Sequence, residues 1–156
     1  MRAMSLGLAA VVIVLDHITK AVVLDMFATR PPYIEVTSFF NLVLAHNRGV
    51  SFGMFSDDSP FNVIVLSLLA SAIVAFLLAW LWRAKNRLVA FGIGLVVGGA
   101  IGNVIDRVMR GAVVDFLDVH VGDWHWPAFN VADSAICIGV AFLVWDGLRG
   151  KRDALN

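Results

Sequence analysis

Charge is scarce in this sequence: only 15% of its 156 residues are Asp, Glu, Lys or Arg. Soluble globular domains carry about a quarter charged residues, so a surface wholly exposed to water is excluded. The charges present cancel, twelve acidic against twelve basic, and nothing in that balance points to a nucleic-acid partner. Cys137 is the single cysteine. It cannot close an internal disulfide, it leaves the redox compartment unread, and within its apolar run it reads as small core packing. Internal repeats and low-complexity stretches are also missing.

What the chain has instead is apolar residues, 60% of the total. A helix crosses the hydrocarbon of a bilayer with about 20 of them. Four stretches qualify, at about 3–24, 61–82, 88–106 and 131–148. The first does not read as a cleaved signal peptide. It runs into Asp16-His17-Ile18-Thr19-Lys20, where a small-residue cleavage site would be needed. Positive charge sets the orientation. Arg2, Arg83, Lys85, Arg87, Arg149, Lys151 and Arg152 flank one side, and Arg30, Arg48, Arg107 and Arg110 the other. Both termini are therefore expected in the cytoplasm, with segments 25–60 and 107–130 on the outer face.

Those outer segments carry structure of their own. Pro31-Pro32 breaks any helix, and residues 33–37 and 39–44 are β-branched and aromatic enough for short strands. Residues 47–55 continue to a turn-like Ser56-Asp57-Asp58-Ser59-Pro60. Residues 116–126 alternate acids with Val and Trp and suit the membrane interface, where tryptophan is favoured. The expected fold is a mainly α membrane protein of one domain. It has four transmembrane helices, a small extracytoplasmic β-sheet and an interfacial segment.

In the third span Gly94, Gly98 and Gly102 recur every four residues, with Gly99 beside them. This spacing opens a groove for a close-packed helix. Asp106 extends the first series and Asn103 follows Gly99 at the same step. Ionisable groups at membrane depth are candidates for function. Asp16 and Lys20 are one helical turn apart and read as a structural or orienting pair, with His17 beside them as a packing histidine. Asp115 follows the third span, and Asp133 lies in the first turn of the fourth, behind Asn130 as N-cap. Both aspartates belong at one depth on the outer side. Two close carboxyls cannot both ionise. One can activate a water while the protonated partner polarises a scissile carbonyl, as in aspartic proteases. The bland alternative is that Asp133 complements the helix dipole and Asp115 is a solvated loop charge.

Rival chemistries find less support. Asp115, Asp118, His120, Asp123 and His125 crowd one segment and include zinc-ligand types, but no HExxH motif accompanies them. Ser67 and Ser71 lie in a span that has no histidine to act as a base. A non-enzymatic transporter or scaffold subunit remains an alternative. Its proton path would spread charges through the membrane, whereas these gather at the outer end.

Five blocks carry a resemblance: Asp16-His17-Ile18-Thr19-Lys20, Asn47-Arg48-Gly49-Val50-Ser51-Phe52, residues 98–107 (GGAIGNVIDR), Val113-Val114-Asp115-Phe116 and Phe129-Asn130-Val131-Ala132-Asp133. In this order, over nearly the whole chain, they resemble the lipoprotein signal peptidases, or signal peptidase II family. The resemblance implies Asp115 and Asp133 as the catalytic pair. It implies Asn47, Gly49, Asn103, Asp106, Arg107, Asn130 and Ala132 as residues lining or bracing the site, and ties Asp16 and Lys20 to activity or stability. It further implies an inner-membrane aspartic endopeptidase working without metal or other cofactor, its site near the periplasmic face. The substrate would be a diacylglyceryl-modified prolipoprotein, met within membrane lipid and cut just before the lipidated cysteine. The outer strands and interfacial segment would form a cradle and a lid. His17 and Ser51 depart from the family's frequent Gln and Ala, away from the expected dyad.

Overall fold

The computed structural model describes residues 1–49 and 60–153. The turn-like 56–59, and the part of the second sequence block from Val50 to Phe52, lie outside the described residues. Four helices, α1 (Arg2–Phe27), α2 (Pro60–Arg83), α3 (Arg87–Arg110) and α4 (Val131–Asp153), alternate in direction. Each is long and apolar enough to cross a membrane. A four-stranded antiparallel sheet joins them at one end, in the order β1 (Tyr33–Thr37), β2 (Phe40–Asn47), β3 (Val113–Val121), β4 (Trp124–His125). Residues 116–126 enter this sheet as most of β3 and all of β4, leaving Trp124 and Trp126 exposed.

The bundle is built around α3, which packs against α1, α2 and α4 and is the most buried of the four. The other helices turn Val14, Ile18, Val22, Leu68, Phe76, Val140 and Val144 outward. In water such a surface would be an aggregation hazard, whereas a helix with its backbone bonds satisfied internally is at home in lipid. Helix α3 is sharply bounded. Asn86 caps its start through the Leu88 N–H at 2.8 Å, and Gly111, at φ 70°, ends it in the left-handed conformation that glycine adopts freely. The third span therefore runs through Arg110, beyond the 106 expected from hydropathy. Asp106 and Arg107 belong to its last two turns.

The two glycine series face different partners. A methyl group on Gly94 would lie 2.7 Å from the Ser5 carbonyl oxygen, and one on Gly98 2.8 Å from that of Ala9. On Gly102 it would meet the Asp16 carboxylate at 2.9 Å. On Gly99 it would collide with the Ala132 carbonyl of α4. One face of α3 thus admits α1 and the neighbouring face admits α4, each at backbone contact. Below both glycine faces come the polar residues, and the close approach sets them against one another.

The opposite end of the bundle is tied by polar contacts. Arg2 donates to the Trp82 carbonyl at 2.8 Å and lies over the Trp82 ring, and Asn86 bonds Asp146. An arginine on the last carbonyls of α2 satisfies acceptors that the helix itself cannot.

Candidate active site

Where the ends of α1, α3 and α4 meet the sheet, the two aspartates singled out in the sequence converge on one residue. Asn130 donates from Nδ2 to Asp115 Oδ1 at 2.7 Å, and its backbone N–H donates to Asp133 Oδ2 at 3.3 Å. Its Oδ1 accepts from the Asp133 N–H at 2.8 Å. Asn130 is thus the N-cap expected for α4, and it forms a reciprocal capping box with Asp133. The Asp115 side reaches it through β3. Ala45 pairs with Asp115 and Asn47 with Val113, so Asn47 stands diagonal to Asp115 on one sheet face. Its Nδ2 donates to Asp115 Oδ2 at 3.0 Å.

Three asparagine amides surround the pair, and in each the oxygen is already committed. Asn47 Oδ1 accepts from the Gly49 N–H at 3.1 Å, and Asn130 Oδ1 from Asp133. Asn103 Oδ1 accepts from Lys20 Nζ at 3.2 Å and Asn130 Nδ2 at 3.3 Å. Each NH₂ is thereby aimed at a carboxylate, and Asn103 Nδ2 donates to Asp133 Oδ1 at 2.7 Å. An amide presents a donor on one side and an acceptor on the other, so fixing the oxygen fixes the donor.

Behind the asparagines sits a buried ion cluster. Lys20, wholly buried, lies 2.7 Å from Asp16 and 2.8 Å from Asp106. Asp106 also accepts from Arg110 at 2.5 Å and from the Val114 N–H at 3.1 Å, stitching the start of β3 to the end of α3. Asp16 accepts from the Ala132 N–H at 2.9 Å. Ala132, without exposed surface, is small enough for its backbone to reach both α1 and Gly99. Arg107 donates a long bond of 3.4 Å to the Gly49 carbonyl. Every site residue expected from the sequence therefore lies in or beside this one network. Arg110, read earlier only as a topology charge, belongs to it too. Its four-residue spacing from Asp106 was the available signal.

Two expectations fail. His17 is exposed on the outward face of α1 and packs into no core. Cys137 is exposed as well. Ala132, Ala135 and Gly139 occupy the buried side of α4, and Cys137 falls on the opposite side of that helix. There it lines an apolar cavity of about 440 Å³ with Trp126, Pro127, Phe129, Ser134, Ile136, Ile138 and Asp133. A second cavity of about 240 Å³ lies between α2 and α3, walled by Leu66, Leu69, Ala70 and Ile73 and by Asn47, Gly49, Asn103 and Arg107. It too is bordered by Asp133.

Asp115 is 2% exposed. Burial, and after it the Asp133 charge, push its carboxyl up to about 7, against the opposing pull of Asn47, Asn130 and Lys20. The crowded β3–β4 tract is organised otherwise. Asp118 and His125 bond each other while Asp115 belongs to the asparagine network. Among the described residues no three His, Cys, Asp or Glu side chains are grouped to hold a metal ion. The hydroxyls of Ser67 and Ser71 donate to carbonyls four residues back, both at 2.7 Å.

The signal peptidase (SPase) II family matches residues 8–149. The chain belongs to that family. This peptidase is 46% identical to a lipoprotein signal peptidase of Janthinobacterium sp. (strain Marseille), over 92% of this chain and 87% of that protein. It is 46% identical to one of Teredinibacter turnerae, over 95% and 89%. Among solved structures it is similar to two bacterial membrane enzymes, both at 28% identity. Their TM-scores are 0.83 and 0.79, with coverage of 97% and 94% of this chain and 91% and 93% of theirs. It is thus a multi-pass membrane protease acting on prolipoproteins.

Proposed function

We propose that Asp115 and Asp133 cleave the signal peptide of diacylglyceryl-modified prolipoproteins just before the lipidated cysteine. They do so as a pair of carboxyls holding one proton between them. The observation that supports this reading is their convergence on Asn130 with donors aimed at both. The ionised carboxyl takes a proton from the attacking water, and the protonated one donates to the carbonyl oxygen of the scissile bond. No metal or covalent intermediate enters this scheme. Asn47, Asn103 and Asn130 hold the carboxyls in place, while Lys20, Asp16 and Asp106 hold Asn103 and the helix ends. Gly49, Arg107 and Ala132 shape the surroundings.

The two cavities bordering Asp133 suit the two parts of such a substrate. The larger, apolar one lies along α4 and takes the acyl-bearing cysteine from membrane lipid. The smaller one carries amide and guanidinium groups and takes the peptide backbone. The positive-charge balance supports cytoplasmic termini and a site at the periplasmic face of the inner membrane. The whole chain acts as one membrane domain.

The deciding experiment incubates the purified protein with a lipidated and an unlipidated precursor. A shortened product should form from the lipidated one, at the same rate with or without EDTA. Equal cleavage of both precursors would overturn the lipid requirement.

The pair also predicts a pH profile. A carboxyl raised to about 7 keeps its proton below that pH and releases it above. Turnover should therefore fall as pH rises through about 7, because the second carboxyl ionises and the shared proton is lost. The linked stability has the same sign. It is greatest in acid and is lost as pH rises through the folded-state value. A rate that climbs steadily from pH 6 to 9 would contradict the shared proton.

A further inference from the structure

Away from the dyad, a chain of side chains crosses the whole sheet. Tyr33 of β1 donates its hydroxyl to Asn41 Oδ1 of β2 at 3.2 Å, and Asn41 donates to Asp118 Oδ2 of β3 at 2.7 Å. The ring Nδ1 of His125, on β4, lies 2.9 Å from both Asp118 oxygens. His120 stacks on His125 with centroids 4.7 Å apart and planes 16° from parallel. Asn41 is fully buried and Asp118 is 6% exposed. Burial alone would push the Asp118 carboxyl up, yet the bonds from Asn41 and His125 hold it below its ordinary value.

Such a buried, fully bonded carboxylate is unusual at the rim of a small sheet, and its position explains it. Strand β4 is two residues long, far below the usual five or six. Immediately after it come Trp126, Pro127 and Phe129, which wall the apolar cavity beside Asp133. Phe129 is held firmly, exchanging backbone bonds with Leu117 at 2.8 and 3.0 Å. The Trp126 end is anchored by a backbone bond to Val119 at 2.8 Å, and Pro127 has no N–H to add another. Strand β4 pairs with β3 through His120–His125 and Val121–Trp124, and the Asp118–His125 bond adds a side-chain tie to this two-residue ladder just ahead of the Trp126–Pro127 wall.

We propose that Asp118 and His125 are positioning residues for substrate. They clasp β4 to β3 and so hold the Trp126–Pro127 wall of the apolar cavity in shape for the lipid. This rests on the cavity's assignment to the substrate's lipid, but the clasp itself can be read without any substrate. The Trp126 N–H, bonded to the Val119 carbonyl at 2.8 Å, reports on the wall's attachment.

The test follows deuterium labelling of the Trp126 backbone N–H of the full chain in lipid nanodiscs, and in parallel measures kcat and KM on the lipidated precursor. His125→Ala should speed labelling roughly tenfold, as expected for loss of a charge-assisted hydrogen bond. It should raise KM by a similar factor and leave kcat within about twofold. His125→Gln, whose side-chain amide can still donate to Asp118, should restore both readouts. Asp118→Ala should speed labelling at least as much as His125→Ala, because it also leaves Asn41 without its acceptor, and adding His125→Ala to it should change nothing further. Unchanged labelling in His125→Ala, additive effects in the double variant, or a fall in kcat at constant KM would each overturn the clasp. If the parent itself cleaves no precursor, the peptidase reading fails and the labelling rates still decide this proposal.

Discussion

Asp115→Asn and Asp133→Asn are each expected to lower the cleavage rate by at least about 10²–10⁴-fold, the range that general acid–base groups contribute, while the protein still folds and inserts. An amide keeps the shape and most of the hydrogen bonding of the carboxyl but cannot exchange a proton at these pH values. At Asp133 the expectation is sharp. Asn103 donates to one of its oxygens and the Asn130 N–H to the other, so an asparagine there must set its own NH₂ against one of these donors. The double variant should be little worse than either single one, because groups acting as a unit fail together. Product formation on the lipidated precursor measures this, with thermal unfolding as the control for folding. A single variant within tenfold of the parent would remove that aspartate from the chemistry.

Lys20→Met should give the largest loss of stability, about 3–5 kcal/mol, the cost of removing one partner from a buried ion pair. Without the ammonium, Asp16 and Asp106 are left with charge and no nearby compensation except Arg110 on Asp106. The same change frees Asn103 Oδ1 from its Lys20 donor, so activity should fall beyond what the unfolded fraction explains. Combining Lys20→Met with Asp16→Asn should recover part of the stability, because it removes one of the stranded charges. Denaturation in detergent reads both variants. A loss below about 1 kcal/mol for the single variant would show that the cluster is solvated.

Much of this arrangement was legible because lipid imposes simple rules on a chain. The four spans follow from the length that crosses hydrocarbon. The roles of Gly94, Gly98, Gly102 and Gly99 follow from helical spacing, which puts two glycine faces on α3 and continues them into Asp106 and Asn103. Where the reading missed, side-chain direction was at issue. Residues in an apolar run look alike whether they face protein or lipid, since both surroundings are apolar. Cys137 and His17 were therefore assigned to packing and proved to be exposed.

By itself the sequence determined the membrane class, the number of crossings, the polar residues that gather around Asn130 and the family blocks that hold Asp115 and Asp133. These depend on composition and on spacing along one helix, both of which are local. Only the tertiary structure decided that Asn130 touches both carboxyls, that the three asparagines turn their donors inward, and that Asp118 and His125 close the far edge of the sheet. The three NH₂ donors reach carboxylates 15 to 68 residues away and His125 reaches Asp118 across a strand pair, and no periodicity along the chain encodes which way these side chains turn.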